Sequence, residues 1–230
     1  MLIKSLPLLC ICLSLYSANN AQSATTHKPV EPGKIKRIFI LGNSITLRPA
    51  EPSIGWHHTW GMAASAEDSD YVHLLIKDIH AKQPSAIVKV KFIAEFERRY
   101  RSYNFSNFDS VALFKPDLLI IRISENVNDQ AAADSGFISY YDRMIKKIDP
   151  ENKAIKVIVG GFWKKKNVNK LIEEYAALNG YAFIPNDHLS DDKTNMALGL
   201  FENAGVAKHP SDKGMRLIEE SIWNHIKIYF

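Results

Sequence analysis

Cysteine is nearly absent from this chain. Only Cys10 and Cys12 occur among its 230 residues, and both sit in an apolar run at the amino terminus. If that run is removed from the working protein, disulfides, a thiol nucleophile and Cys-ligated zinc are excluded together. Charge of one sign is also scarce: 29 Lys and Arg face 25 Asp and Glu. A surplus so small and scattered does not describe a nucleic-acid-binding face. No Gly-x-Gly-x-x-Gly and no phosphate loop occurs, so a nucleotide cofactor has no support. No apolar run approaches the ~20 residues that a membrane-spanning helix requires. Internal repeats and low-complexity tracts are missing too.

What the amino terminus does contain reads as a targeting segment. Lys4 supplies a positive start, Leu6 to Leu15 an apolar stretch, and Ala18 to Ala24 small and polar residues around a cut. We read residues 1–23 as a signal peptide, with Ala21 and Ser23 in a small-x-small pattern. Lipid anchoring on Cys10 or Cys12 is the competing reading, but both cysteines lie inside the apolar run and not at its end. Export to a periplasmic or external space follows, with no stable membrane insertion once the segment is removed. Residues 24–34, with Thr25, Thr26, Pro29, Pro32 and Gly33, read as a linker. Residues 35–230 then form one domain, long enough to bury a full core.

From Ile35 onward, short β-branched runs alternate with longer amphipathic stretches, the pattern of a parallel sheet covered by helices. Strands are expected at Ile35–Leu41, Ile87–Ile93, Asp117–Ile123, Ile155–Gly160 and Tyr181–Ile184. Helices are expected at about 68–81, 134–148, 166–179 and 211–228, punctuated by Gln83-Pro84, Asp149-Pro150 and Asn179-Gly180. The fold class is therefore a three-layer α/β/α sandwich around five parallel strands. Such a sheet binds its ligand beyond the carboxyl ends of the strands. The segment from Pro185 to His209 has little periodicity, and a loop of that size is usually functional.

Chemistry-bearing residues fall at those strand ends. Gly42-Asn43-Ser44-Ile45-Thr46 follows the first strand, where a glycine permits a sharp turn and a serine two residues on can present its hydroxyl over the sheet edge. Taken alone, Ser44 also reads as a helix cap. Ser124-Glu125-Asn126 follows the third strand, and the Asn126 amide is able either to meet a developing oxyanion or to close an Asx turn. His209-Pro210 stands just before the last helix, on a loop that proline stiffens, and reads as a base or as a solvated loop residue.

Together these segments resemble the SGNH (GDSL-type) hydrolase family: Gly42-Asn43-Ser44-Ile45-Thr46 is similar to its first block, Ser124-Glu125-Asn126 to its third, and Val206-Ala207-Lys208-His209-Pro210 to its last. The resemblance spans about the whole domain from Ile35. It implies a flavodoxin-like fold and a cofactor-free, metal-free serine esterase acting on acetyl or acyl esters. In that role Ser44 is the nucleophile, His209 the general base, and Asn126 with the Ser44 N–H the oxyanion donors. Two positions depart from the family. Val206 stands where an aspartate usually orients the histidine, which leaves a dyad steadied by a backbone carbonyl or by Asp187, Asp191 or Asp192. Ala94-Glu95-Phe96-Glu97-Arg98 holds no glycine where the second block has one. Glu95 and Glu97 are expected to salt-bridge Arg98, Arg99 or Arg101, and Asp212 to cap the last helix.

An insertion, Arg48 to Met62, separates the serine from the next helix. Trp56 and Trp60 within it are candidates to stack on a sugar ring, or else to pack the loop onto the domain; Glu125 is a further candidate for substrate contact. His57-His58 has no third ligand at suitable spacing for a metal, and His188 is a second-ranked base. A small-molecule or glycan ester is the expected partner, with removal of acetyl groups from a glycan preferred. A lipase-like or lysophospholipase-like esterase and a non-catalytic glycan-binding domain are the rivals.

Overall fold

The first strand, β1 (Arg37–Gly42), is apolar at almost every position because both of its faces are covered. Ile38 and Ile40 point to one side, and Phe39 and Leu41 to the other, as the two-residue period of a strand requires. Strands β2 (Ile87–Phe92), β3 (Leu118–Arg122), β4 (Ile155–Val159) and β5 (Ala182–Ile184) complete the sheet. All pairs are parallel, in the order β2-β1-β3-β4-β5. The structure is a computed structural model that describes residues 35–134 and 136–230. The expected signal peptide and linker, with Cys10 and Cys12, lie outside the described residues.

Helices α1 (Tyr71–Lys82), α2 (Ala94–Arg99), α3 (Asp109–Phe114), α4 (Asp129–Asp134), α5 (Phe137–Ile148), α6 (Lys166–Asn179), α7 (Ala204–Ala207) and α8 (Asp212–Ile226) occur in chain order. One apolar layer joins Tyr71, Leu75 and Ile79 of α1 and Met215, Ile218 and Ile222 of α8 to Ile38, Ile40, Ile120 and Val157. The opposite layer joins Phe96, Tyr141, Ile145, Ile172 and Tyr175 to Phe39, Leu41, Leu119 and Ile158. This is the expected α/β/α sandwich, and its five strands are those read from the sequence. Edge strand β2 is half-exposed and carries Lys89 and Lys91, charges that discourage pairing with another sheet.

Three expectations change. The helix expected from residue 134 begins at Phe137, because Gly136, at φ 68°, breaks it from the separate turn α4. The α2 and α3 helices occupy chain that the sequence left unassigned. Asp212 does not cap α8: Ser211 does, accepting from the Gly214 N–H. Asp212 instead accepts from the Ser65 N–H (2.8 Å) and Oγ (2.6 Å), fastening the segment after the insertion to the start of α8.

Candidate active site

The sheet order reverses direction between β1 and β3, and the crevice outside those carboxyl ends is where such folds bind ligands. Ser44 stands there on a tight turn, where the Thr46 and Leu47 N–H groups donate to the Asn43 carbonyl at 2.9 and 3.0 Å. Gly42 is required by close approach: a Cβ on it would lie 1.8 Å from Thr46 Oγ1. That same hydroxyl bonds Tyr71 OH at 2.7 Å, tying the turn to α1.

Ser44 Oγ lies 2.8 Å from His209 Nε2. On the far side of the ring, Nδ1 lies 2.8 Å from the Gly205 carbonyl, an acceptor only, so Nδ1 carries the hydrogen and Nε2 presents its lone pair to the serine hydroxyl. The one-turn helix α7 presents that carbonyl, and the Asn203 side chain caps it by accepting from the Gly205 and Val206 N–H groups. Burial pushes the His209 pKa down to about 4, against the raising effect of the Gly205 carbonyl. The ring is thus neutral at pH 7. Trp163 stands edge-on to it, centroids 5.2 Å apart. Asp187, Asp191 and Asp192 are engaged elsewhere, with Asn169, Lys164 and Lys213. His188 is exposed on the turn Asp187–Asp191 and does not line the cleft.

Beneath the serine lies a polar network that sequence reasoning missed. Asn43 Nδ2 donates to Glu97 Oε1 (3.0 Å) and Glu125 Oε2 (2.5 Å). Arg122 Nη2 and the Phe162 N–H both donate to Glu125 Oε1, at 2.6 and 2.9 Å. Burial pushes the Glu125 carboxyl up, but the Arg122 charge and these N–H groups outweigh it and hold the group below its usual range. Among the described residues Glu97 has no such cation. Burial and then the Glu125 charge push its pKa up, despite bonds from Asn126 and Asn43.

Glu97 therefore corrects the surface salt bridge expected of it: only Glu95 reaches an arginine, Arg99, at 4.0 Å. Glu125 also lines the cleft, but its side chain is 2% exposed and its two carboxylate oxygens are engaged by Asn43, Arg122 and the Phe162 N–H. Asn126 does reach the cleft that Ser44 and His209 line. Its Nδ2 donates one hydrogen to Glu97 Oε2 (2.7 Å), and its Oδ1 accepts from Arg98 Nη2 (2.8 Å), which fixes the orientation of the amide. The Ser44 N–H has no protein partner among the described residues.

Trp56 is completely buried, packs edge-on against Trp60 and donates from Nε1 to the Arg48 carbonyl, so it offers no face to a sugar. Trp60 is half-buried, bonded to the Ala64 carbonyl and covered by the stacked ring of His58 at 4.1 Å. Both pack the insertion onto the domain. The aromatic wall of the cleft is Trp163, on a turn after β4 that carries no signature of its own. The cleft encloses about 300 Å³, bounded also by Ile54, Met62, Arg48 and Arg98.

No protein-family profile and no curated protein matches the sequence. Solved structures do. The psychrotrophic esterase EstA from Pseudoalteromonas sp., in a structure inhibited by monoethylphosphonate, superposes with a TM-score of 0.54 at 12% identity, over 84% of this chain and 97% of that one. A two-domain esterase active on acetylated mannans gives 0.53 at 17% identity, over 84% of this chain and 49% of that protein, about half its length. An acetyl xylan esterase gives 0.51 at 16% identity, over 83% of this chain and 99% of the other. The chain shares its fold with these esterases. In that frame the insertion between Ser44 and α1 forms one wall of the cleft, through Arg48, Ile54 and Met62. No helix among the described residues is long and apolar enough to cross a membrane.

Proposed function

We propose that this protein is an exported serine esterase that hydrolyses carboxylic esters, acetyl esters of a glycan foremost, through a Ser44 acyl-enzyme. The observation that carries this reading is the 2.8 Å contact between Ser44 Oγ and a neutral His209 whose other nitrogen is fixed by main chain. In the proposed reaction Ser44 Oγ attacks the ester carbonyl carbon as its proton passes to His209 Nε2. The Ser44 N–H and the second hydrogen of the Asn126 amide hold the oxyanion. The tetrahedral intermediate expels the alcohol, which takes the proton from His209. A water then attacks the acyl-serine, giving its proton to His209; the second tetrahedral intermediate expels Ser44 Oγ, which takes that proton back from His209 Nε2 as the carboxylic acid leaves.

The Gly205 carbonyl holds the ring tautomer but supplies no negative charge to the imidazolium. In serine proteases neutralising the aspartate costs about 10⁴ in rate, so slow turnover is expected here. A cleft of about 300 Å³ is at the small end for ligand pockets and suits an acetyl group better than a long acyl chain. The fold neighbours named for acetylated mannan and acetyl xylan point the same way, and the leader-like amino terminus supports export.

Labelling with a fluorophosphonate probe tests the reading. Wild-type protein is expected to label, and Ser44→Ala and His209→Ala to lose the label and the release of acetate from p-nitrophenyl acetate. A folded wild-type protein that neither labels nor hydrolyses would instead favour the non-catalytic glycan-binding alternative.

A further inference from the structure

Among the charges around the cleft, one is left without a counter-charge. Arg48 is ion-paired with Glu51. Glu125 is paired with Arg122, and Glu97 lies buried under two asparagines with its charged form disfavoured. Arg98 differs from all of these. It is exposed, it lines the cleft, and its hydrogen bond goes to the neutral Asn126 oxygen through Nη2. No carboxylate lies within ion-pair distance of it among the described residues; its neighbour Glu95 meets Arg99 instead. Burial, and then the charge of Arg98, both pull the Arg48 guanidinium below its usual value, so the two cations feel one another across the cleft wall.

A guanidinium has five N–H donors, and the bond to Asn126 uses one. The remaining donors can grip a carboxylate with two parallel bonds. One unbalanced positive charge calls for one negative charge, which suits a carboxylate better than a doubly charged phosphate monoester. Because Arg98 bonds the same Asn126 amide proposed for the oxyanion, an anion on it sits beside the reacting carbonyl and not at a remote site.

We propose that the cleft is built for an ester whose alcohol portion carries a carboxylate, as an acetylated uronic acid unit of a glycan does, with Arg98 as the residue that selects it. This rests on the esterase reading and narrows its substrate class. In the proposed complex the substrate carboxylate completes the ion pair that Arg98 lacks.

The test compares kcat/KM for acetylated oligogalacturonate with that for acetylated manno-oligosaccharide of equal length. Their ratio cancels any general loss of catalysis caused by disturbing Asn126. Wild-type enzyme is expected to favour the acidic substrate by about tenfold or more, the range of a charged hydrogen-bonded pair. Arg98→Gln is expected to bring the ratio near one, and Arg98→Lys to retain a preference for the acidic substrate. Raising the ionic strength should erode the wild-type preference, because an open ion pair is screened. A wild-type ratio at or below one, or a ratio unmoved by Arg98→Gln, overturns the proposal while leaving the esterase intact. Absence of both fluorophosphonate labelling and hydrolysis removes the esterase reading itself, and this proposal with it.

Discussion

Lowering the pH is the most discriminating perturbation of this site, because in the proposed reaction the state of one ring decides the rate. His209 must be neutral to take the serine proton, and burial moves its pKa from the ordinary 6.5 to about 4. The sign follows directly: a depressed pKa widens the neutral range downward, so activity persists as pH falls through 6.5 and is lost only as pH approaches 4. With a pKa of about 4, roughly 90% of the ring remains neutral at pH 5; with an unshifted pKa, only about 3% does. The ratio of kcat/KM at pH 5 to that at pH 8 thus separates the two cases by about thirtyfold. The assay is p-nitrophenyl acetate hydrolysis in overlapping buffers, with kcat/KM reporting the free enzyme. Circular dichroism at each pH would verify that the protein stays folded. An acid limb centred between pH 6 and 7, with the protein folded throughout, would refute the argument that a buried, carbonyl-held imidazole replaces the usual aspartate-paired one.

Two further perturbations probe the support around the dyad. Glu97→Gln replaces one acceptor oxygen by a donor, setting an N–H against an N–H of Asn43 or Asn126; kcat for p-nitrophenyl acetate is expected to fall by about tenfold or more while Tm changes little, since a buried carboxylate is removed at the same time. Trp56→Ala empties a fully buried site and should cost about 3–5 kcal/mol in urea unfolding.

The sheet was legible because its strands stand out as short apolar runs between amphipathic stretches, and the meeting of Ser44 with His209 because strand-end placement marks the one and helix-entry placement the other. The support beneath them was not. Glu97 sits among Glu95, Arg98, Arg99 and Arg101, and local charge pattern reads such a stretch as a solvated helix. Its burial comes from α2 folding back against Asn43 and Asn126, contacts that span 54 and 29 residues. Arg122 illustrates the same limit. Its partner Glu125 is only three residues away, but the burial of the pair depends on the distant turns after β1 and β4, which supply Asn43 and the Phe162 N–H. Trp56 and Trp60 left two readings open for a related reason: an aromatic-rich insertion has the same composition whether its rings face a ligand or its own stem. Of the His57-His58 pair, for which no metal-ligand spacing was found, His58 is the residue that covers Trp60.

Anchoring His209 on the Gly205 carbonyl has a consequence for how the site withstands mutation. Where a side-chain carboxylate steadies the ring, one nucleotide change can delete the anchor. A peptide carbonyl belongs to every amino acid, so no codon removes it. Only displacement of the turn can, through the Asn203 cap that holds α7 or through the pairing of Met196 with Pro210 that fixes the far side of His209. Vulnerability thereby moves from a single genetic position to the integrity of a short fold, and the geometry proposed for catalysis becomes heritable as backbone shape.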